Sequence, residues 1–100
     1  MTYLALFFAG AFLCNCIPHL VAGLSGVPFP TPFAHPPGKG NSSPLINFLW
    51  GAFNLAVGLG LHSLAPVTFG LNLEFGTLAV GFVLSGLWLA YHFGGVRSGK

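Results

Sequence analysis

Residues 45–65 read LINFLWGAFNLAVGLGLHSLA. No charged side chain interrupts the stretch, and about 20 apolar residues are what a helix needs to cross the hydrocarbon of a bilayer. The same segment carries Asn47, Gly51, Asn54, Gly58 and His62, which at 100° per residue fall within an arc of about 80° on a helix; Ser43 extends the strip at its start. A helix that is apolar around most of its circumference and small or polar along one strip turns that strip to protein and the rest to lipid. The stretch therefore predicts an integral membrane helix that has packing partners in its own or another chain.

The composition agrees. Of 100 residues, 54% are hydrophobic, and only Lys39, Glu74, Arg97 and Lys100 are charged. Soluble domains carry about a quarter charged residues, so this chain lacks the polar surface to wet a globule of its size. Two further segments, residues 3–24 and 74–94, are long and apolar enough to span. The expected fold is an all-α integral membrane protein, one domain over residues 1–100. It has three transmembrane helices (3–24, 45–65, 74–94) and an ordered Pro-rich loop, residues 25–44, between the first two. A membrane barrel is excluded, because three strands cannot close one and the alternating ten-residue segments are missing. The first apolar run, MTYLALFFAGAFLCNC, has no basic residue before it and no small-x-small cleavage site, and is read as a retained helix rather than a removed signal peptide.

Lys39 lies in the first loop and Arg97 and Lys100 in the tail, whereas the second loop, PVTFGLNL (66–73), has no basic residue. With three spans these cations share one side. The positive-inside rule then predicts the amino terminus outside and the Pro-rich loop and carboxyl terminus in the cytoplasm.

The other helices have strips of their own: Thr77, Gly81, Ser85, Trp88 and His92 on the third, and Asn15, His19 and Gly26 on the first. Two uses are open to these residues. Small side chains and amides join helices in membranes, and intramembrane ionisable groups also mark ion or proton paths. Asn15, Asn54, His62 and Glu74 are the candidates for a path, with His62 and Glu74 as a proton-exchanging pair. His19 and His92 approach one side of the bilayer and offer a third possibility, axial ligation of a haem, or a quinone site, between the first and third helices. Pro18 removes a hydrogen bond inside the first helix and predicts a bend near Cys14.

Cys14 and Cys16 are about 200° apart on a helix, too far to share a metal ion or form a disulfide, so two buried thiols and no metal site are expected. Ser43 is placed as the N-cap of the second helix with Pro44 as its first residue. Gly38-Lys39-Gly40-Asn41-Ser42-Ser43 lacks the GxxxxGK[ST] spacing of a phosphate loop, and three basic residues make no nucleic-acid footprint.

The loop VPFPTPFAHPPGKGNSSP, residues 27–44, holds six of the eight prolines. Extended, it would reach about 56 Å, against the 8–10 Å between neighbouring helices. It must fold back on the bundle. Its apolar half (27–34) is expected to pack against or dip into the inner membrane interface as an extended strip with Phe29 and Phe33 on one side, and its polar half (35–43) to return through water to the helix cap. Phe29, Phe33, Lys39 and Ser43 are its candidate contact residues. Three helices packed around one another leave no useful cavity. The functional expectation is therefore a small non-enzymatic membrane subunit, without cofactor, that associates with itself or a larger membrane complex through the Asn/Gly/His strips. The alternative is a homo-oligomeric channel or proton-linked transporter.

Overall fold

The computed structural model describes residues 2–65, 67 and 70–99. Three helices carry the fold: α1 (Thr2–Leu24), α2 (Pro44–Leu64) and α3 (Leu73–Arg97), each long and apolar enough to cross a membrane. At 1.5 Å per residue they are about 31–38 Å long, which matches a hydrocarbon core of about 30 Å. Between α1 and α2 the loop pairs two short strands, β1 (Phe29–Pro30) and β2 (Asn41–Ser42), antiparallel with Phe29 opposite Ser42. Much of the second loop, and Lys100, lie outside the described residues.

The helices do not wrap evenly around one another. α1 is the central element, packed along α2 on one side and α3 on the other. Against α2, Leu20 meets Gly51, Leu13 meets Gly58 and Phe48 meets Gly23, so residue numbers fall as α1's rise and the pair is antiparallel. Against α3, Gly10 meets Leu78 and Phe82 while Cys14 meets Gly86, so the numbers rise together and the pair is parallel. The loop and the carboxyl end of α3 consequently share one end of the bundle, as the three-span reading requires of Lys39 and Arg97.

Burial follows this arrangement. Leu6, Ala9, Gly10, Cys14, Cys16, His19 and Ala22 of α1 are buried; α2 buries Asn47, Gly51, Asn54 and Gly58, while α3 buries only Gly81. The outer faces stay apolar: Leu49, Phe53 and Leu59 of α2 and Val80, Val83, Leu84 and Leu87 of α3 are exposed. Soluble monomers rarely expose patches beyond a few hundred Å² of this kind, and a lipid-facing surface is what such helices need.

Local signals explain the boundaries. α1 ends where Gly26, with φ of 71°, turns the chain left-handed; the Val27 amide then donates to the Ala22 carbonyl (2.9 Å) and the Gly26 amide to Gly23 (3.2 Å). This is the Schellman arrangement, which satisfies the last carbonyls of a helix. Gly26 is therefore the exposed terminator of α1 and not part of the Asn15/His19 face, a correction to the sequence expectation. α2 starts as expected, with Ser43 Oγ accepting from the Ile46 amide (3.2 Å) and Pro44 at the first position. Asn72 caps α3 in the same way, accepting from the Phe75 amide (2.8 Å), with Glu74 in the first turn where a carboxylate complements the dipole. α1 runs unbroken through Pro18.

Candidate functional site

The polar residues of α1 and α2 form a ladder between the two helices. Asn15 Nδ2 donates to Asn54 Oδ1 at 2.9 Å, and Asn54 Nδ2 donates to the Trp50 carbonyl at 2.8 Å. Nearer the loop, Asn47 is a junction of four contacts. Its Nδ2 faces the carbonyls of Phe29 (2.9 Å), Ser42 (3.2 Å) and Ser43 (3.1 Å), and its Oδ1 lies 2.8 Å from His19 Nδ1. Carbonyls only accept, so they fix the orientation of the amide: Nδ2 is the group that faces them. Oδ1 is then an acceptor, and His19 Nδ1 must carry the proton. One fully buried side chain thereby ties α1, β1 and the end of the loop to α2.

Aromatic rings enclose this junction. His19, itself buried, has the edges or faces of Phe29, Trp50 and Phe93 around it at centroid distances of 5.6, 6.4 and 6.2 Å, and Phe29 packs on Phe93 at 4.6 Å. The loop is held to α3 by a second histidine. His92 stacks on Trp88 (4.9 Å) and its Nε2–H donates to the Gly38 carbonyl at 2.7 Å. Within the loop, Thr31 does the corresponding work. Its hydroxyl bonds the Ser42 hydroxyl and accepts from the Phe33 amide, while its carbonyl accepts from Ala34 and Gly38.

The structure corrects the loop's expected shape. Because the chain turns at Thr31, Phe29 and Phe33 do not line one side of an extended strip: Phe29 points into the α1/α3 cleft and Phe33 lies edge-on over Trp50 of α2 at 5.1 Å. Of the apolar half, Pro30, Thr31 and Ala34 are buried but Val27, Pro28, Pro32 and Phe33 are exposed, as are His35, Pro36, Pro37 and Lys39, so only part of that half turns inward. The fold also leaves open grooves where none was expected. One of about 840 Å³ runs along the outer face of α2 from Phe33 and His35 to Trp50 and Phe53.

The predicted polar path comes together only in part. Asn15 and Asn54 bond each other, but no hydrogen bond or ion pair joins His62 to Glu74 among the described residues. Ser85 Oγ donates to the Ala11 carbonyl across α1/α3 (3.3 Å), while Thr77 bonds only its own helix at Leu73 and Trp88 is exposed, so the third strip is narrower than expected. His19 and His92 do not face a common slot, because Phe93 lies against both rings. Cys14 and Cys16 are free and buried, with Cys16 Sγ bonded to the Leu13 carbonyl. Thr31, Trp50 and Phe93 are site residues that the sequence reading missed. Thr31 had a signal, as the one polar residue in PFPTPF; Trp50 and Phe93 had none, since their roles arise from partners distant in the chain. Comparison with known proteins gives no match to a family model, a curated protein or a solved structure.

Proposed function

We propose that the chain is a small, non-enzymatic, multi-pass membrane subunit that joins copies of itself or a larger membrane complex, with its amino terminus outside and its loop and carboxyl terminus in the cytoplasm. The observation that supports this best is the completeness of the internal polar pairing. Every side-chain nitrogen and oxygen fully buried among the described residues has a hydrogen-bond partner. The Asn15–Asn54 and His19–Asn47 bonds use the strongest polar groups of the spans for holding helices and loop together. Such a network stiffens a scaffold.

One consequence alters the expected mode of association. Most of the Asn/Gly/His strips are spent inside the chain, so a partner meets the apolar outer faces of α2 and α3 and the surface of the loop, where Phe33 is 62% exposed and Lys39 is free of ion pairs among the described residues. The transport alternative draws no support from His62 and Glu74, which no hydrogen bond or ion pair joins among the described residues. Gentle solubilisation followed by native mass measurement and an absorbance spectrum tests the proposal. A stoichiometric homo-oligomer or heteromeric complex without a cofactor band is the expected result. A monomer at native expression level, or proteoliposomes whose proton flux is abolished by His62→Leu, would sink it.

A further inference from the structure

Two of the chain's three basic side chains line one pocket at the loop end of the bundle. Lys39 and Asn41 come from the loop, Arg97 from the last turn of α3, and Phe29 and Phe93 are the aromatic residues of its wall; the pocket measures about 350 Å³. Such a volume is at the small end of ligand sites, of the size for a headgroup rather than a whole amphiphile. Neither cation has an ion-pair or side-chain hydrogen-bond partner among the described residues. The only acidic side chain, Glu74, lies in the opposite turn of α3, about 34 Å away along the helix axis and several Debye lengths from Arg97.

The two cations are brought together by the fold rather than by sequence proximity. Lys39 is carried to α3 because the neighbouring Gly38 carbonyl is held by His92 and because β1 and β2 pair across the loop. The result is a site with two positive charges and an amide beside Phe29, Phe93 and Val96, which are apolar. An anion with an apolar body satisfies both parts. Arg presents a fork of donors that matches phosphate oxygens, and Lys adds a compact charge.

We propose that Lys39, Asn41 and Arg97 bind the phosphate of an anionic phospholipid headgroup, with the lipid's glycerol and upper acyl segments against Phe93 and Val96. The inference rests on the chain being membrane-embedded. With the loop end cytoplasmic, as proposed, the anionic leaflet faces these residues, and basic pockets between helices on that side bind anionic headgroups.

The test uses the full chain purified in a mild non-ionic detergent, with native mass spectrometry to count bound lipid during titration with phosphatidylglycerol or phosphatidylcholine. Wild type is expected to hold phosphatidylglycerol selectively; K39Q/R97Q should bind it roughly 30-fold more weakly, from two surface cations. K39R/R97K, which keeps both charges, should retain it. Equal retention of the two lipids, or undiminished phosphatidylglycerol binding by K39Q/R97Q, overturns the site. Displacement of the lipid by inorganic phosphate at matched ionic strength and equal concentration would assign it to free phosphate and also overturn the lipid proposal. Wild type that does not sediment with membranes removes the membrane reading itself, whereas membrane-bound wild type without lipid selectivity removes only the headgroup site.

Discussion

The two faces of α1 are joined to their neighbours by different physics. On the α2 side the contact is directional: Asn15 with Asn54, His19 with Asn47, and Leu13 and Leu20 seated over Gly58 and Gly51. On the α3 side the contact is one of shape. Gly10 lies against the Leu78 carbonyl and Gly81 against the Phe7 carbonyl, so the two backbones touch reciprocally, with Ser85 to Ala11 as the hydrogen bond between them. In the bilayer proposed for this chain there would be no hydrophobic drive between helices, and close backbone approach and interhelical hydrogen bonds would be the available substitutes. The molecule uses mainly one on each side.

The difference sets what should break each contact. The largest effect is expected from Gly81→Leu. Its Cβ alone would fall on the Phe7 carbonyl oxygen, which is backbone and cannot rotate away. Overpacking of this kind costs about 1–3 kcal/mol and can exceed that where backbone must move. α3 should separate while the α1/α2 pair stays intact. Cysteine cross-linking across each pair, together with detergent unfolding, checks this. Loss of the α1/α2 cross-link at the same time would show that the two sides are not independent. Gly10→Leu should behave alike, and the double variant should cost less than the sum because both residues act on one contact.

Asn47→Leu comes next and attacks the directional side. It strands the His19 Nδ1–H and removes the donor shared by the Phe29, Ser42 and Ser43 carbonyls. Orphaned buried polar groups cost about 1–3 kcal/mol. Loop amides should lose hydrogen-exchange protection along with the stability. Asn54→Leu should cost less, about 0.6 kcal/mol, the average for an interhelical hydrogen bond in a membrane, and at most about 1.7 kcal/mol, and should leave the loop untouched. If Asn54→Leu exposes the loop as much as Asn47→Leu does, the junction is not local to Asn47.

How far these contacts were legible depended on their range. Hydrophobic length and the strip on 45–65 set out the three long apolar helices and the burial of Asn47, Gly51, Asn54 and Gly58, because helical periodicity is a local property. The Ser43–Pro44 start was likewise written in adjacent residues. What the strip does not encode is its partner. Asn54 meeting Asn15, or Phe93 lying between His19 and His92, depends on the relative shift of helices, which no single segment specifies. The misread extended strip has the same origin: prolines favour extension locally, but Thr31 and Ser42, eleven residues apart, close the turn through hydroxyls.

The smallest expected effect separates glycines that make a contact from glycines that only occupy a helix. A Cβ at Gly60 of α2 would meet nothing within 4 Å, in contrast to Gly51 and Gly58 on the same helix, where it would press on Leu20 and Leu13. Glycine in a helix interior is less favourable than alanine by roughly 0.5–1 kcal/mol, because the more flexible backbone loses more entropy on folding. Gly60→Ala should therefore be neutral or raise stability by that amount, while Gly58→Ala, against the Leu13 side chain, should lower it. Detergent unfolding of the two variants in parallel measures the difference. A loss in both would mean that Gly60 faces a packed surface in the working assembly, and would place the partner's contact on the outer face of α2.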